Sequence, residues 1–183
     1  MTSFGLTGCD EERPLLNSER IQHRFGSYGV EIVRSGPGIR VSNLYSEDAS
    51  RRTCRTLAIT EFVQPVDARV DAVHASILAG GSIGSSLRDA GWEVHKRLTY
   101  IGEIPLTDPQ SELARLMHVS VPRSLAIHSY DVSVSRSGDH IDYASIVEIH
   151  HPEYLDVQQL RAIYGTSADE ARPLRLPGDP LRL

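Results

Sequence analysis

Arg40-Val-Ser-Asn-Leu-Tyr-Ser-Glu-Asp-Ala-Ser-Arg-Arg-Thr-Cys-Arg55-Thr-Leu-Ala-Ile-Thr60 reads as two β-strands joined by a polar turn over Ser46 to Arg52. Ile39 to Tyr45 alternates apolar with polar residues, and Thr53 to Phe62 is rich in β-branched and apolar ones. Each strand carries one arginine that period-2 geometry sets beside apolar neighbours: Arg40 with Leu44, and Arg55 with Leu57 and Ile59. An unpaired buried guanidinium is expensive, so each must reach an anion or satisfied hydrogen bonds. Two outcomes stand side by side. Both arginines sit at the sheet rim with their heads in water, or they flank one carboxylate-bearing ligand.

Outward from this pair the chain continues to read as α+β. Pro14 to Phe25 has the apolar spacing of a short helix ended by Gly26, and Tyr28 to Arg34 is a strand closed by the Ser35–Gly38 turn. Beyond Pro65 the period changes: Val70, Val73, Ile77 and Leu78 recur at helical spacing up to Gly80-Gly81, and Ser82 stands where it can N-cap a second helix. Gly91 to Ile104, Leu125 to Arg136 and His140 to His151 are strands, the last two joined by a hairpin turn at Ser137-Gly-Asp139. A helical turn is expected near Leu113 to Met117 and a last helix over Asp156 to Tyr164. The expected fold is α+β, with a single antiparallel sheet of about six strands and helices on one face. The expected organisation is a flexible lead-in over residues 1–12, one domain over 13–164, and a proline-rich disordered tail over 165–183.

With 183 residues, 40% hydrophobic and 23% charged, the composition is that of an ordinary globular chain. A net charge of −5 with no basic run gives no footprint for nucleic acid. No apolar run approaches the roughly 18 residues that span a bilayer, so no membrane is expected. Two cysteines imply no disulfide framework, and the expected compartment is the cytoplasm.

Gly80-Gly-Ser-Ile-Gly84 lacks the lysine and preceding strand of a nucleotide loop, but N–H groups around Ile83 and Gly84 could receive one carboxylate. Glu148 interrupts an apolar run, Ile146-Val-Glu-Ile149, on the same face as Ala144. A carboxylate there is either paired across the sheet or kept for a ligand. Glu148 and His150 share a face, but the histidine spacings do not make a three-ligand set, and no metal is expected. Cys54 reads as packing rather than as a nucleophile.

In their order and spacing these residues resemble the chorismate pyruvate-lyase family, which shares its fold with the UTRA effector domains of bacterial transcription regulators. The resemblance runs from about Ser18 to Tyr154. It rests on Arg24-Phe25 with Gly29 to Gly36, on Arg40 and Arg55-Thr56 fifteen and sixteen residues later, on Ile83-Gly84 with Leu87, on Tyr100 to Glu103, and on Val147 to Pro152. Gly138-Asp-His stands where the lyases carry Gly-x-Pro. The resemblance implies a chorismate lyase-like fold and elimination of pyruvate from chorismate, or a close cyclic enol ether, to leave 4-hydroxybenzoate. It implies Arg40 on the ring carboxylate, with N–H groups of Ile83 (beside Gly84) and of Ile21 completing that shell. Glu148 would meet the oxygen at the far end of the ring, and Arg55, beside Thr56, would meet the enolpyruvyl carboxylate. The implied partner is a small dianionic cyclic carboxylate, and no cofactor is implied. The rival reading is a non-catalytic, UTRA-like binder of aromatic carboxylates.

Overall fold

A computed structural model describes residues 15–49 and 51–165, so the expected lead-in and, apart from Gly165, the expected tail lie outside the described residues. The elements run α1 (Asn17–Phe25), β1 (Gly29–Gly36), β2 (Ile39–Glu47), β3 (Arg52–Phe62), α2 (Asp71–Leu78), α3 (Ile83–Asp89), β4 (Glu93–Leu106), α4 (Glu112–Met117), β5 (Arg123–Arg136), β6 (Asp139–His150) and α5 (Val157–Tyr164), with a 3-10 turn at Ala68–Val70 before α2. The six strands form one antiparallel sheet in the order β1-β2-β3-β6-β5-β4. This is the α+β, single-sheet architecture expected from the sequence.

Local chemistry explains the punctuation. Gly26 ends α1 in the left-handed region at φ 78°. The β5–β6 hairpin turns on Ser137 and Gly138, both at positive φ (53° and 90°), the backbone that matches the twist of two-residue hairpins. Asp156 caps α5 by accepting the Gln159 N–H, while Gln159 accepts the Asp156 N–H. Ser82 does occupy the N-cap position of α3, but its side chain makes no capping hydrogen bond.

Alternation along β3 divides the core. Leu57 and Ile59 face α4 through Leu113 and Met117. Ala58 faces the other way, toward Ile21 of α1 and Leu160 of α5. Phe62, with Tyr130 and Ile146, meets Ile77 of α2 and Leu87 of α3. Among the described residues four helices therefore share one face, as expected, and the short α4 alone covers part of the other. No described helix is long and apolar enough to cross a membrane.

Candidate functional site

On the four-helix face the sheet is not fully covered. A narrow cleft remains between the sheet, the start of α1 and the start of α3, with a cavity volume of about 50 Å³. Arg40 enters it from β2, Glu148 from β6, Tyr130 from β5 and Lys96 from β4. Thr60 pairs with Arg40 on one side and Ile146 on the other, and Ala58 pairs with Glu148, so β3 and the Ile146–Glu148 segment form the floor. Gly84 narrows the rim: a Cβ there would lie 2.8 Å from Leu16 Cδ2, so a larger residue would displace the Leu16 side chain where α1 and α3 meet.

One end of the cleft is short of partners. Arg40 is 3% exposed, and its Nη1 donates to the carbonyls of Ile77 (2.6 Å) and Gly81 (3.0 Å) in the α2–α3 turn. Its Nε is enclosed with no hydrogen bond, and no carboxylate among the described residues pairs with it. Burial lowers its pKa, and the acidic groups that oppose this are only the phenols of Tyr28 and Tyr143. The hydroxyls of Ser18 and Tyr28, which also line the cleft, are enclosed and make no well-aligned hydrogen bond, although Ser82 and Ser18 stand close enough to the Tyr28 hydroxyl to act on it. Burial raises the Tyr28 pKa, so it stands as a neutral donor. A cation without a carboxylate, beside hydroxyls that meet only one another, suits an anion.

The other end is almost fully hydrogen-bonded. Glu148, 4% exposed, accepts from Tyr130 Oη (2.9 Å) and Asn17 Nδ2 (3.0 Å). Asn17 also donates to Thr56 Oγ1 (3.2 Å) and accepts from Tyr154 Oη (2.6 Å). Thr56 Oγ1 lies 3.0 Å from His150 Nδ1, and His150 Nε2 lies 2.9 Å from His128 Nδ1. His128 Nε2 comes back to Glu148 Oε2 at 3.6 Å, too far for a hydrogen bond. One proton arrangement serves every contact: Thr56 O–H to His150, His150 Nε2–H to His128, and His128 Nε2–H facing the carboxylate. The reverse would aim a lone pair at Glu148. Both imidazoles are neutral, because burial pushes His128 well below its ordinary value and His150 down to about 3.

His128, Glu148 and His150 bring three ligand-type atoms within 4.8 Å of one another. The imidazoles, however, are hydrogen-bonded at 2.9 Å, closer than the about 3.3 Å between two ligands on a tetrahedral zinc. The cluster is built as a hydrogen-bond chain. Cys54 is equally plain: it is buried against Asn43 and Met117, and burial pushes its thiol up to about 12.

Compared with family models, curated proteins and solved structures, the chain gives no match. Its own geometry therefore carries the functional argument.

The residues expected at the site separate into two groups. Arg40, Glu148, Ile83 and Gly84 line one cleft, and Thr56 joins it through Asn17 and His150. Arg55 and Ile21 do not line it. Ile21 is fully buried in the core with Leu44 and Ala58, and as the fifth residue of α1 its N–H falls within the helix ladder. Arg55 does not share a face with Leu57 and Ile59. A register shift between Leu44 and Tyr45 inserts it as an extra residue between the pairs Leu44–Thr56 and Tyr45–Cys54. It lies 3.8 Å from the Phe25 ring centre, donates to Ser46 Oγ and pairs with Glu153 at 3.3 Å. Asn17, Tyr130, Lys96 and His128 were not singled out from the sequence. The one available signal was register: His128 is the direct cross-strand neighbour of Glu148.

Proposed function

We infer that this cleft binds a small cyclic carboxylate, and that the protein is a chorismate pyruvate-lyase-like carbon–oxygen lyase releasing pyruvate and leaving 4-hydroxybenzoate. The observation that carries the reading is Arg40, an enclosed guanidinium without a carboxylate partner among the described residues, opening on a cleft that also holds Glu148. Their strands are two positions apart in the sheet, about 10 Å at the backbone, a span that suits a ring with a carboxylate at one end and an oxygen at the other. Arg40 would hold the ring carboxylate, with Ser18, Tyr28 and the Ile83–Gly84 backbone around it. Glu148 would accept from the ring hydroxyl and could move a proton there. Aromatisation drives such an elimination, so the protein chiefly orients the substrate and excludes water.

A second reading has its own support. Glu148 already accepts from Tyr130 and Asn17, and a carboxylate so held suits recognition of a hydroxybenzoate without turnover. One experiment separates the two: incubation with chorismate, following pyruvate and 4-hydroxybenzoate, beside Arg40→Ala and Glu148→Gln. Turnover abolished by both substitutions, in protein folded by circular dichroism, supports the lyase. Absence of turnover, with thermal stabilisation by 4-hydroxybenzoate that Arg40→Ala removes, selects the binder. Neither turnover nor stabilisation sinks both.

A further inference from the structure

A second, wider cleft meets the first. The two share Leu16, Val94 and Lys96, so they join where Lys96 stands. The wider cleft is lined by Arg20 of α1, Arg88 of α3, and Trp92 and Tyr164. Three cations from three elements converge at this junction, in a chain whose net charge is −5.

Their pairing is incomplete. Arg88 has Glu19 at 3.4 Å. Arg20 donates to Tyr164 Oη (3.0 Å) and the Leu15 carbonyl (3.2 Å), and its Nε is enclosed without a partner. Lys96 is exposed along much of its length, yet its ammonium lies 4.4 Å from the Tyr130 ring centre and 3.5 Å from Tyr130 Oη. Neither Arg20 nor Lys96 has a carboxylate partner among the described residues. Glu93 also lines the wider cleft, but its side chain is 75% exposed and turns to His95. Packing depresses the Lys96 pKa, and the charges of Arg20 and Arg88 depress it further, against the pull of Glu148 and Glu19. Gathering like charges is unfavourable until an anion arrives.

Resting on the reading of the Arg40 cleft as a carboxylate site, we propose that Lys96, backed by Arg20, holds a second anionic group of the ligand, so that the site selects dicarboxylates over monocarboxylates. Lys96 stands on β4, four strand positions from Arg40, about 19 Å at the backbone, and both side chains reach the same cleft from opposite sides. The ligand's two charges then lie at opposite ends, with Glu148 between them in the sheet. This gives Lys96 the role that the family resemblance gives Arg55, whose guanidinium is engaged by Glu153, Ser46 and Phe25 outside the cleft.

The test is calorimetric titration of the full chain with benzoate and with 3-(carboxymethoxy)benzoate, which adds a second carboxylate on an ether arm. The wild type should bind the dicarboxylate about tenfold tighter or more. Lys96→Gln should cut that preference to about threefold or less while benzoate affinity is retained, Lys96→Arg should keep it, and Arg55→Gln should leave it intact. Equal affinities in the wild type, a preference that survives Lys96→Gln, or one that vanishes in Arg55→Gln each overturn the assignment. If benzoate binds and Arg40→Ala removes it, those outcomes leave the cleft reading standing; if neither compound binds the wild type, both fall.

Discussion

The two ends of the cleft differ in one respect that outweighs their shared burial. At the Glu148 end every buried polar group but His128 Nε2 has a hydrogen-bond partner, and they form a chain through Asn17, Thr56, His150 and His128 whose last step back to Glu148 is 3.6 Å. At the Arg40 end Nε has none, and the hydroxyls of Ser18 and Tyr28 make no well-aligned one. The first arrangement holds the fold; the second leaves capacity for something that is not protein. A buried charge is therefore a poor marker of function by itself, and the count of its unfilled hydrogen bonds is a better one.

If this contrast is sound, the largest stability loss belongs to the Glu148 end. Glu148→Ala strips acceptors from Tyr130 and Asn17 and the facing anion from His128, at a cost of about 3–5 kcal/mol. Urea unfolding should show the midpoint falling with the slope unchanged. A loss below about 1 kcal/mol would mean that water replaces the carboxylate, and the contrast between the two ends would collapse.

Acid should act on the same end. His128 and His150 are neutral when folded because burial lowers their pKa, whereas the unfolded chain titrates near 6.5. Below that value the unfolded state binds more protons, so stability is fully present above about pH 6.5 and is lost as pH falls toward the folded values. Between pH 7 and 5.5 each histidine should remove about 1 kcal/mol, and the pair about 2 kcal/mol. Unfolding midpoints measured at the two pH values check this. A midpoint that does not move would mean that the pair is already protonated in the folded state.

Part of this contrast was legible in the sequence. The strand pair around Arg40, the Ser137-Gly138 hairpin and the single antiparallel sheet follow from alternation and turn chemistry, which act over a few residues. Glu148 could be singled out because an apolar run rarely holds an uncommitted carboxylate. Its partners could not be named: Asn17 and Tyr130 reach it from α1 and β5, and only three-dimensional register brings them together. Arg55 was misplaced for a narrower reason. Period-2 reasoning assumes an unbroken ladder, and one bulged residue between Leu44 and Tyr45 moves the arginine to the other face.

That misplacement supplies the smallest and sharpest test, because two arginines with the same expectation now stand in opposite circumstances. Arg40→Met frees two carbonyl acceptors, of Ile77 and Gly81, but also removes an unpaired buried charge. The opposing effects should leave unfolding free energy within about 1 kcal/mol of wild type. Arg55→Met gives up a pair with Glu153, whose side chain is 72% exposed, and a contact with Phe25, again worth about 1 kcal/mol or less. Stability alone will hardly distinguish the two variants. Thermal shift by 4-hydroxybenzoate should: it disappears in Arg40→Met and persists in Arg55→Met. The opposite pattern would place the ligand against Phe25 and make the unsatisfied donors around Arg40 a packing defect rather than a site.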